Sequence, residues 1–87
     1  MSTIILHKHF IKAYTLLSEK NRKAFKKRRD LFLKDINSPL LHSHLLHGKY
    51  DGYRSFNVTG DLRVIYKEIE KDVYVFVLIG SHSELYT

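Results

Sequence analysis

The chain has 87 residues, no cysteine, and six more Lys and Arg than Asp and Glu. That length serves one domain, residues 1–87, with one modest core, so any active site must lie on its surface; the lack of cysteine excludes disulfides, thiolate metal ligands and a thiol nucleophile. The positive excess is confined to the front: residues 1–36 carry ten basic and three acidic side chains, residues 37–87 five and six, which favours a polyanionic partner unless the charge is only a solvated helix face.

In chain order, Thr3 to His7 is apolar and β-branched and predicts a short first strand. It is too short, and too soon followed by Lys8 and His9, for a signal-peptide core or a membrane span. The longest apolar run, Val73 to Ile79, cannot cross a bilayer either, so a cytoplasmic protein with no membrane partner is expected. Phe10, Tyr14 and Leu17, with Ala13 and Leu16 beside them, recur at helical spacing and predict an amphipathic helix over 8–17. Ser18 is placed to cap a second helix with Ala24, Phe25, Leu31, Phe32 and Ile36 as its apolar stripe. Lys23, Lys26, Lys27, Arg28 and Arg29 cover much of the rest of that helix and are candidates for docking on RNA. Asn37-Ser38-Pro39 ends it, because proline lacks a backbone donor and pushes its predecessor out of the helical region.

Residues 40–52 hold three histidines and two glycines without a period and read as an irregular connection. A strand follows over Tyr53 to Val58, then turn chemistry at Thr59-Gly60-Asp61, an alternating strand from Leu62 to Ile69, a tight connection at Glu70-Lys71-Asp72, and the run Val73 to Ile79, which predicts a central strand buried on both faces. Strand, helix, helix and a three-strand meander give an α+β domain, a helical hairpin packed on a small antiparallel-rich sheet in the order β-α-α-β-β-β.

Polar residues that gather at the strand ends carry the functional signal: His44, Asn57, Asp61, Arg63, His82 and Tyr86. RNA cleaves itself when its 2′-hydroxyl is deprotonated and aligned with the adjacent phosphate. A protein catalyst therefore needs a proton acceptor, a cation for the phosphorane charge and an acid for the departing 5′-oxygen, which are jobs for His, Asp, Arg and Tyr. His7, His9, His42 and His47 receive no role on this reading.

The segments Leu45-Leu46-His47-Gly48-Lys49-Tyr50-Asp51-Gly52-Tyr53-Arg54, Val58-Thr59-Gly60-Asp61-Leu62-Arg63-Val64-Ile65-Tyr66 and Gly80-Ser81-His82-Ser83-Glu84-Leu85-Tyr86 resemble the RelE/ParE superfamily, specifically its YafQ-like toxins. The resemblance is close from residue 44 onward, and the helical half shares only layout and basic character. It implies a metal-independent, cofactor-free endoribonuclease that cleaves messenger RNA on the ribosome, leaving a 2′,3′-cyclic phosphate and a 5′-hydroxyl. The resemblance also implies a cognate antitoxin that would bind it in a hetero-oligomer and block it. Carried over by position, His44 or Asp61 would take the proton, Arg63 would stabilise charge, His82 would act as acid and Tyr86 would help place the phosphate or base.

YafQ toxins have a further histidine where this chain has Asn57, which can hydrogen-bond but cannot shuttle a proton. Arg63 and Tyr86 match RelE positions, so the site is similar to a hybrid of the two patterns. Asp61 and Arg63 are expected on one strand face, where the guanidinium could restrain the carboxylate; an Arg63 salt bridge with Asp61 or Glu84 is the plainer alternative. Lys49, Tyr53, Arg54 and Asn57 are secondary candidates for RNA contact. A ParE-like gyrase inhibitor and a catalytically inactive nucleic-acid-binding relative are the competing readings.

Overall fold

The computed structural model describes residues 1–86. Strand β1 (Thr3–Leu6) leads into two helices, α1 (Lys8–Thr15) and α2 (Glu19–Lys34). The His7 ring caps α1, its Nδ1 accepting the backbone N–H of His9 at 3.1 Å. Ser18 caps α2 as its position predicts, with Oγ accepting the N–H of Asn21 at 3.1 Å. Both helices stop earlier than the apolar spacing implies. At the second end the Asp35 carboxylate accepts the N–H of Asn37 at 3.1 Å, a local turn that outcompetes the helix ahead of Pro39.

The remaining elements are β2 (His44–Leu45), β3 (Arg54–Asn57), β4 (Leu62–Glu70), β5 (Val73–Ser81) and a short α3 (His82–Tyr86), with single 3-10 turns at Pro39–Leu41 and Gly48–Tyr50. They form one five-stranded sheet in the order β1-β5-β4-β3-β2. All neighbours pair antiparallel except β1 and β5, which run parallel with Ile4 opposite Tyr74. The architecture is the α+β domain that the element order implies, with two additions. The connection over 40–52 contributes an edge strand, and the chain after β5 turns into a helix.

The two faces of the sheet have different fates. One lies under the helices: Phe10, Phe25 and Phe32 pack on Phe56, Val64, Tyr66, Tyr74 and Phe76. Phe32 is 2% exposed, and its ring meets those of Phe56, Tyr66, Tyr74 and Phe76 at centroid distances of 5.4, 5.1, 5.0 and 5.3 Å.

The other face carries a smaller cluster of Leu46, Ile65 and Leu85, to which Tyr50, Tyr53 and Tyr86 pack. β5 is therefore not buried on both faces. Tyr74, Phe76 and Ile79 are buried, while Val73, Val75 and Val77 are only half-buried, because no second layer of helices covers their side. A bulge leaves Val77 unmatched between the pairs Ile65–Leu78 and Tyr66–Phe76, which sharpens the twist of the sheet beside Arg63.

Candidate active site

The β3–β4 hairpin is closed by Thr59, whose Oγ1 accepts the N–H of Leu62 at 3.0 Å, and by the N–H of Val58 donating to the Leu62 carbonyl at 2.8 Å. This geometry keeps Asp61 in the turn, one residue before β4 begins. Its carboxylate does not restrain Arg63. The backbone N–H of His82 donates instead to both the Asp61 carbonyl at 3.2 Å and its Oδ1 at 3.3 Å. Arg63 makes no ion pair with Asp61 or Glu84 among the described residues, so neither expectation for its guanidinium is met.

α3 has only five residues, too few to hold together unaided. A reciprocal cap fixes its start: Ser81 Oγ accepts the N–H of Glu84 at 3.2 Å, and Glu84 Oε1 accepts the N–H of Ser81 at 2.8 Å. The backbone bond from Ser81, then its hydroxyl, hold the Glu84 carboxyl below its ordinary value. Gly80 leaves room for this fold-back, since a Cβ there would lie 3.3 Å from Glu84 Oε1 and 3.4 Å from Leu85 Cδ2.

At the far end of α3 the Tyr50 hydroxyl donates to the Leu85 carbonyl at 2.9 Å, and Leu85 is buried. Thus pinned, α3 presents His82 and Tyr86 with ring centroids 4.8 Å apart, and Tyr86 meets Tyr50 edge-on at 5.9 Å. The Ser-x-x-Glu spacing is a helix-start signal that the element reading passed over; nothing in the sequence marks the part played by Tyr50.

Asn57 and Arg63 are cross-strand partners, and Ser55 lies opposite Ile65 one pair further along the same face. Four buried side-chain atoms have no hydrogen-bond partner among the described residues: Ser55 Oγ, Asn57 Oδ1, Arg63 Nε and Tyr86 OH. All four belong to the face that α3 overhangs. Buried polar atoms are almost always paired, so orphans on one face leave hydrogen-bonding capacity there for a further polar group. At the sheet edge the His44 ring is exposed, and its Nδ1 lies 3.0 Å from the His42 carbonyl. That contact makes Nδ1 the donor and leaves Nε2 facing outward as an acceptor in the neutral ring. His42 holds a left-handed backbone, φ 48°.

Asn57 and Arg63 are thus paired across the strands, and His82 joins Asp61 to Tyr86 at the start of α3, while His44 stands on the same sheet face at the edge strand, opposite Ser55. The other candidates are placed elsewhere. Arg54 pairs with Tyr66 and faces the helix side, where it lines a cleft of about 480 Å³ with Ser43, Tyr66, Glu68 and Tyr74. In that cleft burial, and then the Glu68 carboxylate, hold the Tyr74 phenol above 10.0. Tyr53 packs into the lesser cluster with the Lys67 ammonium 5.1 Å from its ring, and Lys49 lies 5.1 Å from the Tyr50 ring. Lys23, Lys26, Lys27, Arg28 and Arg29 ride on α2, across the sheet from the site. Lys23 pairs with Glu19 at 3.2 Å, Arg29 with Asp30 at 3.0 Å, and Arg28 donates to the Leu40 carbonyl at 2.7 Å. No three His, Asp or Glu side chains converge as a metal site requires among the described residues.

Residues 2–87 match the profile of the family described as bacterial toxin of type II toxin-antitoxin system, YafQ. Among solved structures, YafQ from E. coli strain BL21(DE3) superposes over 100% of both chains with a TM-score of 0.82 at 21% identity. The E. coli DinJ-YafQ toxin-antitoxin complex contains a similar chain, at 22% identity, TM-score 0.80, covering 99% of this chain and 98% of that one. A metal-bound toxin from Helicobacter pylori is similar at 28% identity and TM-score 0.70, over 99% and 100% of the two chains. No curated protein matches in sequence.

Proposed function

The chain belongs to the YafQ family of toxins from type II toxin–antitoxin systems, and from that premise we propose that it is an endoribonuclease that cleaves messenger RNA on the ribosome. The observation that carries the proposal is the group of unpartnered buried polar atoms at Asn57, Arg63 and Tyr86, flanked by two imidazoles and a carboxylate. A phosphodiester brings the charge and lone pairs that such atoms lack.

In this mechanism His44 is the base. Its Nδ1 proton is held by the His42 carbonyl, so Nε2 can receive the proton of the 2′-hydroxyl. The 2′-oxygen attacks the adjacent phosphorus in line, the P–O5′ bond breaks, and the products are a 2′,3′-cyclic phosphate and a 5′-hydroxyl. Arg63 stabilises the extra charge of the phosphorane. His82 protonates the departing 5′-oxygen, and the Tyr86 hydroxyl orients the phosphate. Asp61 acts by holding the start of α3 through the His82 N–H, which makes it a positioning residue here and leaves proton transfer to the two histidines. Asn57 supplies hydrogen bonds without a proton.

A site this open cannot hold a flexible messenger unaided, and the basic α2 would dock on ribosomal RNA; a cytoplasmic setting is part of the same proposal. The cognate antitoxin would neutralise the toxin by ordering a segment over the site face. The test is cleavage of a defined messenger by purified protein, with and without programmed ribosomes, mapping product ends and including His82→Ala. Ribosome-dependent cleavage with 2′,3′-cyclic ends, lost in the variant while its melting is unchanged, is the expected result. An intact messenger in every lane overturns the proposal.

A further inference from the structure

Ser55 is the most deeply buried polar residue of the described chain, 0% exposed, and its Oγ has no partner. A hydroxyl sealed from water without a hydrogen bond opposes folding. No sequence pattern singled it out, and the mechanism above does not use it. Its surroundings narrow what could satisfy it. Across β4 it faces Ile65, which has no polar atom; across β2 it faces His44. Asn57, two residues along the strand, stands about 6.6 Å away in backbone rise, beyond direct reach of a short side chain.

Directly opposed residues of an antiparallel pair have Cβ atoms about 4.5–5.5 Å apart. That spacing is within the span of an imidazole, and the pairing sets His44 and Ser55 on the same face. Without RNA the ring is exposed and tied to the His42 carbonyl at 3.0 Å. β2 has only two residues at the sheet edge, and both are exposed, so no packed layer stands against a turn of that ring.

We propose that Ser55 is a positioning residue for His44: when RNA enters, the imidazole turns inward and Ser55 Oγ replaces the His42 carbonyl as acceptor of the Nδ1 proton. This rests on the reading of the protein as a ribonuclease. The exchange preserves the tautomer, keeps the Nε2 lone pair toward the 2′-hydroxyl, and leaves Nδ1–H bonded when the ring becomes an imidazolium. It also gives the sealed hydroxyl its partner at the moment the ring must be held still.

The experiment is single-turnover cleavage of a defined messenger on programmed ribosomes by the full chain, with Ser55→Ala, Ser55→Cys and Ser55→Thr, each also in a His44→Ala background. Ser55→Ala should lower the maximal rate about tenfold, the worth of one good hydrogen bond, at unchanged half-saturation. Ser55→Thr should restore most of the rate, and Ser55→Cys, a weak acceptor of nearly equal size, should fall between.

In the His44→Ala background Ser55→Ala should cost nothing further, because its partner is already gone. A full maximal rate in Ser55→Ala, or equal losses with and without His44, overturns the inference while the ribonuclease reading stands. A wild-type chain that leaves the messenger intact removes both. Melting curves accompany each variant, and a Ser55→Ala chain that is folded yet as active as wild type is the plainest refutation.

Discussion

Removing the hydroxyl of Ser81 tests whether the site depends on the cap of α3. Ser81→Ala deletes the acceptor for the Glu84 N–H, now bonded at 3.2 Å. Loss of a helix-start cap of this type costs about 1 kcal/mol, a factor of about five in a local opening equilibrium. Because α3 is also held by the Tyr50–Leu85 bond and the His82–Asp61 contact, the rest of the fold should keep its stability. Amide exchange over residues 82–86 should speed up about fivefold, with β4 and β5 unchanged. The partner half of the cap adds a pH dependence. The Glu84 carboxyl is held below 4.5 by the Ser81 N–H and then the Ser81 hydroxyl, so its contribution is present above that value and lost as pH falls through the lowered one. It is modest, since the group is exposed to water. Wild-type protection of α3 should therefore drop in acid after correction for intrinsic exchange, and Glu84→Gln should show no such step. Unchanged protection over residues 82–86 in Ser81→Ala would refute the reasoning.

Phe32→Ala removes the ring at the centre of the aromatic cluster and should cost about 3–5 kcal/mol in denaturant unfolding; a loss below about 1 kcal/mol would mean the helices do not depend on that contact. Arg63→Ala should reduce cleavage about 10²–10³-fold, as removal of a preorganised charge stabiliser does, whereas Arg54→Ala, on the opposite face, should leave the rate near wild type. Equal losses would contradict the placement of the two arginines. Asp61→Asn keeps an oxygen able to accept the His82 N–H but cannot take a proton. Near wild-type cleavage is expected, and a loss comparable to that of His44→Ala would make Asp61 the base.

The parts legible in sequence were those with a period or a cap. Ser18 marked the start of α2, Thr59-Gly60-Asp61 marked the hairpin, and the alternation from Leu62 fixed which side chains of β4 face the helices. β2 was not legible, because two residues carry no period and its pairing is set by β3. The Val73 run was misread as doubly buried because an apolar run cannot report whether a second layer covers it. In the site, the motif segments brought His44, Asp61, Arg63, His82 and Tyr86 together on the page of the sequence, but not the direction of the Asp61 carboxylate. The shared-face expectation extended strand alternation back to residue 61, which the Thr59 turn still holds, since β4 begins at Leu62. Ser55 was silent because only burial distinguishes it from any surface serine.

The placement of charge separates affinity from chemistry. Most of the positive excess rides on α1 and α2, while the site lies across the sheet, beyond a core layer roughly 10 Å thick of the kind that sheet packing produces. The α2 cations therefore cannot contact a group bound at Arg63, and their field at the exposed surface is screened over about 8 Å in physiological salt. Nor do all of them remain available to a polyanion, since Lys23 and Arg29 have acidic neighbours and Arg28 holds the Leu40 carbonyl. What the helix layer can do is attract and orient a large polyanion on one side of the molecule. On the other side, under the proposed mechanism, a single guanidinium and a few buried polar atoms would meet the scissile phosphate. An RNA presented to both surfaces at once would belong to a larger ribonucleoprotein body, which is why the proposal sets cleavage on the ribosome.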